Sequence, residues 1–269
     1  NRHPKSDMYL YGRANYSFAI SSFIFAELAI NKDTNIKLKI IFTSITLFMI
    51  WALLFVSTVR TDYVLLAVAM IVFTILHTNK KHILIALGAL ILSLGLAYKL
   101  SPNMHTGLMR IDNAVQQYQQ GNPKTSSGLR LLFVRNSIEL WKKAPLFGTG
   151  TGSFKHQYLT LNSLTIDAKP ATINHPLDQP HNQYAYSLVE LGAIGLLLLL
   201  GFLAAIVKNS FNLPTTYRHI ALAAVITFSI QALFCSTIFY YEVKYAFCLI
   251  ISLCFSQLGV NATKTKQAA

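Results

Sequence analysis

The sequence predicts an all-α, polytopic integral membrane protein with about seven transmembrane helices and one large, partly helical loop. Of the 269 residues, 53% are hydrophobic and 12% are charged. The charged share is about half of that usual in a soluble globular domain. The apolar residues come in blocks of membrane-spanning length, whereas soluble helices would show amphipathic periods. Composition and block length therefore favour a membrane protein over one or two soluble domains.

Seven apolar segments can be assigned, and six is the alternative count. They cover residues 14–30, 38–56, 63–76, 83–98, 183–207, 220–237 and 245–258. The third, fourth and seventh are short for a span of ~20 residues, so they must extend into flanking residues. The chain is thereby divided into residues 1–98, with segments one to four, a polar loop at 99–182, and residues 183–269, with segments five to seven.

The short polar connections carry a charge asymmetry that predicts the orientation of the chain. With seven spans, one side of the membrane would hold nine lysines and arginines in its short segments, and the other side would hold five. Positive charge in short connections marks the cytoplasmic side. The C-terminus is therefore predicted to be cytoplasmic, and the large loop to lie outside the cytoplasm.

The same charge pattern argues against nucleic acid as a partner. Although the formal net charge is +13, the 23 lysines and arginines lie mostly in short loops between apolar runs, as in membrane proteins. Cys235, Cys248 and Cys254 lie in apolar segments without paired spacing, so neither a disulfide nor a metal site is predicted from them. The glycine run at 148–152 lacks the Gly-Lys-Ser/Thr ending of a nucleotide-binding loop and predicts a tight turn instead. No Asp-x-Asp pair is present, and no cofactor is expected.

One helix is predicted inside the large loop. Ser126 or Ser127 would cap it, and it would run to about Lys143. At 100° per residue, Arg130 and Arg135 point about 140° apart. This helix can therefore direct at most one of the two arginines towards a given site. The alternative for Arg135 is a solvated helix face.

Two further residues stand where predicted spans meet the large-loop side. Arg60 lies in a very short connection, and a guanidinium offers a planar fork to phosphate oxygens. Its alternative is an interfacial arginine, or one paired with Asp62. His181 follows Pro180 and opens the fifth segment, and a near-neutral pKa would suit it to act as a general base.

Two glutamates lie within the apolar segments. Glu190 is nine residues after His181, which places it roughly 180° around the helix and ~13 Å further along it. A straight helix cannot bring the two side chains together. Glu190 is therefore expected to contact another span, and so is Glu27.

Four blocks of sequence resemble the bacterial O-antigen ligase family. They read SSGLRLLF at 126–133, PLFGTGTGSF at 145–154, PHNQY at 180–184 and LGAIG at 191–195. The segment STVRT at 57–61 is a looser match to the Ser-Arg-containing turn of the family. Family members include lipopolysaccharide O-antigen ligases, O-antigen polymerases and pilin O-oligosaccharyltransferases. The resemblance covers nearly the whole chain, as the C-terminal part of a longer protein.

The resemblance implies glycan transfer from undecaprenyl diphosphate to an acceptor hydroxyl, at the periplasmic face of the bacterial inner membrane, without metal, nucleotide or other cofactor. It implies that loop 99–182 is catalytic, that Arg130 and His181 are essential, and that Arg60 holds the diphosphate. Arg135 and Asn182 are predicted to bind substrate. The expected partners are the undecaprenyl-diphosphate-linked glycan, a lipid A–core acceptor and membrane lipids, with no nucleic acid.

The chemistry of these residues agrees with that reading. A lipid diphosphate is already a good leaving group, so the enzyme mainly has to stabilise its growing negative charge, which arginines do. His181 could accept the proton of the attacking hydroxyl, which gives inversion, or it could orient the acceptor. The alternatives are a protein O-oligosaccharyltransferase or an O-antigen polymerase of the same family, and a transporter of lipid-linked glycans. A transporter predicts polar residues along a path through the spans, where here few are found.

Overall fold

The computed structural model describes residues 15–121, 125–165 and 179–267, and these residues form ten α-helices without a strand. The helix Ile36–Trp51 continues into a five-residue π-helical turn, Ala52–Val56. In chain order the helices are α1 (Asn15–Ile30), α2 (Ile36–Trp51), α3 (Arg60–His77), α4 (Ile83–Leu100), α5 (Pro102–Gln119), α6 (Ser126–Trp141), α7 (Phe154–Thr165), α8 (Gln183–Ser210), α9 (Thr215–Phe234) and α10 (Tyr241–Gln267).

Six helical segments of the described chain are long and apolar enough to cross a membrane, judged by length and composition. They are Ile36–Val56, Arg60–His77, Ile83–Leu100, Gln183–Ser210, Thr215–Phe234 and Tyr241–Leu258. The remaining predicted segment corresponds to a shorter apolar helix, Tyr16–Ile30. The third, fourth and seventh segments extend into their flanks as expected. The predicted all-α, polytopic membrane fold is confirmed.

Several of these helices expose large apolar side chains. Leu84 and Leu92 of α4 are 80% and 76% exposed, and many large apolar side chains of α2 are exposed as well. Soluble proteins rarely leave apolar patches of this kind open to water. These side chains are therefore suited to contact lipid.

The chain divides into two compact units. Unit 1 comprises the described residues within Asn1–Met109, Ala205–Gln231 and Tyr240–Ala269, and unit 2 those within Arg110–Ala204 and Ala232–Phe239. Arg60 belongs to unit 1. Arg130, Arg135, His181 and Asn182 belong to unit 2, so four of the five predicted site residues lie in one compact body.

The predicted loop helix is present as α6, with one difference at its start. The Thr125 side chain accepts a hydrogen bond from the Gly128 N–H at 3.0 Å, so the N-cap is Thr125 and not Ser126 or Ser127. At the other end the Trp141 Nε1–H donates to the Pro145 carbonyl at 2.9 Å. Both ends of α6 are thus fixed by hydrogen bonds from local side chains.

Candidate functional site

An aromatic cluster in unit 2 holds α6, α7 and the start of α8 together. The rings of Phe133 and Tyr158 meet edge to face, with centroids 5.4 Å apart, and Phe154 stacks on Tyr158 at 5.5 Å. Val189 of α8 is fully buried in the same cluster. The Asn136 amide also donates to the Tyr158 hydroxyl at 3.1 Å. Because these contacts fix the rotation of α6, they also fix the directions of its two arginines.

Helix α8 breaks at Gly192, where the backbone is non-helical (φ 67°, ψ −164°). The break leaves peptide groups of α8 without partners in their own helix, and lipid cannot form hydrogen bonds with them. Residues 145–150 form these hydrogen bonds instead. The Ala193 N–H donates to the Pro145 carbonyl at 2.8 Å, and the Thr149 N–H donates to the Val189 carbonyl at 2.8 Å. The polar loop and the membrane-spanning helix are therefore joined backbone to backbone.

This close approach requires glycine at two positions. Gly148 (φ 70°) and Gly192 (φ 67°) have left-handed backbones, a conformation that glycine adopts at no steric cost. A Cβ at Gly148 would lie 2.4 Å from the Glu190 carbonyl carbon, and one at Gly192 would lie 2.3 Å from the Leu146 carbonyl oxygen. The glycine run forms a tight turn, as predicted, and this turn packs on the break in α8.

Glu190 binds this turn and not a neighbouring span, so the expectation for its partner was wrong. Its side chain is buried, and its Oε2 accepts from the Gly152 N–H at 2.9 Å while Oε1 accepts from the Phe154 N–H at 3.1 Å. A carboxylate at the start of α7 satisfies free N–H groups and complements the helix dipole. The sequence expectation assumed a straight helix. The break in α8 at Gly192 is what brings the turn to Glu190.

His181 has a left-handed backbone, with φ 52°. A non-glycine residue in this region carries strain of about 1–2 kcal/mol, which persists only where the surroundings impose it. The next two residues supply that constraint. The Asn182 Oδ1 caps α8 by accepting from the Ala185 N–H at 2.9 Å, and its Nδ2 donates to the Leu233 carbonyl at 3.2 Å. Buried Gln183 accepts from the Ile238 N–H at 3.1 Å.

Arg130 and His181 are brought into the same region of unit 2. The His181 ring lies 6.1 Å from the Phe133 ring, centroid to centroid, and Arg130 stands three residues before Phe133 on α6. Side chains at this spacing are neighbours on a helix surface. Arg130 is half-buried, whereas Arg135 is exposed. The structure thus gives the two predicted arginines of α6 different environments.

Arg60 starts α3 in unit 1, directly after a turn fixed by its own side chains. The Ser57 hydroxyl donates to the Asp62 carboxylate and accepts from the Val59 N–H at 3.1 Å. The Tyr63 hydroxyl donates to the Ser57 carbonyl at 2.7 Å. These bonds hold the first turn of α3, from which the Arg60 side chain projects.

The stem of Arg60 lies beside α5. A Cβ at Gly107 would lie 3.5 Å from the Arg60 Cγ, so the arginine stem passes close to this glycine. Asn103, four residues earlier on α5, donates to the Phe55 carbonyl at 3.0 Å, a peptide group of the π-helical turn. Such turns are frequent at functional sites. Sequence reasoning missed both contacts because they join elements that are far apart in the chain.

A protein-family model described as O-antigen ligase matches residues 45–200. The match covers more than half of the chain and includes all five predicted site residues. A search of curated proteins finds no match. The chain belongs to the O-antigen ligase family and is a multi-pass membrane protein.

Proposed function

We propose that this member of the O-antigen ligase family transfers a glycan from undecaprenyl diphosphate to a hydroxyl of lipid A–core, at the periplasmic face of the bacterial inner membrane. The observation that carries the proposal is the contact between the His181 ring and the Phe133 ring of α6, the helix that carries Arg130, beside the start of the apolar helix α8. A cation and a titratable imidazole at a membrane edge suit an anionic lipid donor and a hydroxyl acceptor.

In the proposed reaction, the acceptor oxygen forms a bond to the anomeric carbon of the glycan. The bond from that carbon to the diphosphate oxygen breaks, and undecaprenyl diphosphate leaves with the electron pair. The proton of the acceptor hydroxyl passes to a ring nitrogen of His181. Direct displacement of this kind inverts the anomeric configuration, and general base assistance is typically worth ~10²–10⁴-fold.

The arginines take the second task, which is to stabilise the charge on the departing diphosphate. The half-buried Arg130 is proposed to do this beside His181, since an arginine shielded from water interacts more strongly with a developing anion. Arg60 is proposed to bind phosphate oxygens of the donor through its guanidinium fork. Arg135 and Asn182 remain proposed substrate-binding residues. This charge stabilisation would need no metal.

The strained backbone of His181 supports a role for its side chain. Histidine at φ 52° is unfavourable, yet the cap formed by Asn182 and the buried amide of Gln183 hold it there. Strain that is imposed by surrounding contacts is characteristic of sites that preorganise a functional group.

The proposal is tested by complementation of a ligase-deficient bacterium with the gene that encodes this protein. Lipopolysaccharide gels are compared for the wild type, Arg130→Ala and His181→Ala, at equal protein level. The matched controls are Lys142→Ala, an exposed cation at the end of α6, and His156→Ala, an exposed histidine of α7. We expect the wild type and both controls to restore the O-antigen ladder, and both site variants to lose it by about 100-fold or more.

Each other result has a defined meaning. Full activity of Arg130→Ala or His181→Ala would remove these residues from the reaction. If the wild type restores no ladder while lipid-linked glycan accumulates, lipid A–core is not the acceptor, and glycosylation of pilin or another protein is measured next. A change in ladder length without a change in attachment would indicate a polymerase.

A further inference from the structure

Unit 1 contains a second group of titratable side chains, and none of them belongs to the proposed transfer site. Glu27 of α1, His77 of α3 and His219 of α9 converge, with one ligand atom of each within 4.8 Å of the others. The Glu27 Oε2 lies 2.9 Å from the His77 Nε2, and the Oε1 lies 3.0 Å from the His219 Nδ1. Their side chains are 5%, 21% and 11% exposed, respectively.

The hydrogen bonding of His77 defines which of its nitrogens can bind a cation. Its Nδ1 lies 2.8 Å from the Phe73 carbonyl oxygen. A carbonyl only accepts, so this nitrogen carries the proton, and in neutral histidine the Nε2 then presents a lone pair. That lone pair faces the Glu27 Oε2. In the described part of the chain, this buried Glu27 Oε2 accepts no hydrogen bond, although the His77 Nε2 lies only 2.9 Å away.

A buried carboxylate that faces two imidazole nitrogens at this distance calls for positive charge, which either a proton on a histidine or a bound metal ion supplies. We propose that Glu27, His77 and His219 bind a divalent transition-metal ion with the coordination chemistry of Zn²⁺. Two histidines and one glutamate form an established zinc ligand set, with a fourth position left for water. Metal–ligand bonds of about 2.0–2.1 Å in a tetrahedron separate ligand atoms by ~3.3 Å. The observed 2.9 and 3.0 Å contacts involve the two different oxygens of Glu27, so metal binding would need a small rearrangement of these three side chains.

The surroundings of the ligands fit a metal site as well. Metal-binding histidines commonly donate their other ring N–H to a backbone carbonyl, which fixes the tautomer and orients the ring. His77 has this bond to Phe73. Glu27 and His77 also stand in the last turns of their helices, where the negative end of the helix dipole favours a cation.

The proposed metal site and Arg60 lie at opposite ends of one helix. Arg60 is the first residue and His77 the last of α3, which has 18 residues, so the two are about 26 Å apart along the helix axis. That length is close to the ~30 Å hydrocarbon core of a bilayer. The metal would therefore join α1, α3 and α9 at the membrane face opposite Arg60. There it would stabilise the helix packing of unit 1 and would not take part in glycan transfer.

The test is metal binding by the full chain purified in detergent and stripped with a chelator. We expect Zn²⁺ to bind with one ion per chain and to raise the thermal unfolding temperature, because a ligand that binds only the folded state stabilises it. Mg²⁺, which prefers oxygen ligands, should leave the unfolding temperature unchanged. Co²⁺ in place of Zn²⁺ should give the intense visible bands of a four-coordinate ion.

Variants assign the binding to these three residues. His77→Ala and Glu27→Gln should lower Zn²⁺ affinity by more than about 100-fold, since loss of outer-shell partners alone costs about 10–100-fold. His82→Ala should bind as the wild type does, because His82 is exposed and makes no cap through its side chain. His77 is the most exposed of the three side chains, so its alanine variant is the best suited to remain folded. The proposal is overturned if wild-type protein binds no Zn²⁺, or if His77→Ala binds it as tightly as His82→Ala does.

Discussion

Two buried glutamates lie in apolar helices of this protein, and their partners differ in kind. Glu190 in unit 2 is 2% exposed and Glu27 in unit 1 is 4% exposed. Both oxygens of Glu190 accept hydrogen bonds from peptide N–H groups of one turn. Both oxygens of Glu27 face imidazole nitrogens. A buried carboxylate in a membrane helix can thus either fix a loop or contribute to a ligand set, and its partners decide which.

The two regions also differ in the groups that form them, which are backbone groups in one and side chains in the other. The region around Glu190 is built from backbone, with left-handed glycines at Gly148 and Gly192. The region around Glu27 is built from side chains on three regular helices. We therefore expect substitutions in the first region to act through the fold, and substitutions in the second to act through ligand binding.

The largest effect on stability is expected at Gly192, where the backbone of α8 packs directly on the backbone of the loop at Leu146. Gly192→Ala places a Cβ against the Leu146 carbonyl oxygen at a left-handed φ, so it should destabilise the protein by about 3 kcal/mol or more. Gly201→Ala is the matched control, since the same helix has open space at that glycine. Thermal unfolding in detergent compares the two variants. Equal stability would mean that the break in α8 does not depend on glycine.

The two glutamates themselves provide the next prediction. Glu190→Gln presents an NH₂ group to a backbone N–H and leaves that donor unsatisfied, which should cost roughly 1–3 kcal/mol. This loss should be the same with and without Zn²⁺. Glu27→Gln should instead remove the Zn²⁺-dependent part of the stability. Unfolding temperatures measured with chelator and with Zn²⁺ separate the two effects. If both variants respond alike to Zn²⁺, the proposed contrast between the glutamates is incorrect.

A smaller effect is expected at the cap of α8. Asn182→Ala should cost about 1 kcal/mol because the Ala185 N–H loses its side-chain acceptor. Asn182→Ser restores a good cap with a shorter side chain. If Asn182→Ser keeps both stability and transfer activity, the residue acts by positioning His181. If it keeps stability but loses activity, the predicted substrate contact is supported.

The smallest effect on stability is expected at Arg135, an exposed residue of α6. Arg135→Ala should change the unfolding free energy by no more than about 0.5 kcal/mol, because surface substitutions usually do little. Its transfer activity should fall less than that of Arg130→Ala, since an exposed charge is screened by water and salt. A loss equal to that of Arg130→Ala would place Arg135 on the substrate. The readout is the lipopolysaccharide gel at equal protein level.

Local sequence signals were enough to predict the helices and the polar positions at their ends. Helix α6, the extended spans and the positions of Arg60, Arg130 and His181 follow from apolar block length, capping residues and family-like motifs, all of which are local signals. The N-cap is Thr125 and not the predicted Ser126 or Ser127, because neighbouring hydroxyls compete for the same N–H groups.

The contacts between groups became known only from the packing of the helices. Glu190 binds a turn of its own unit because α8 breaks at Gly192. The regular period of a helix does not predict such a break. Glu27 and His219 are 192 residues apart, and no local pattern pairs them. The left-handed backbone of His181 likewise depends on contacts from residues near 233 and 238. Local periodicity is encoded in adjacent residues, whereas these contacts arise only when helices pack.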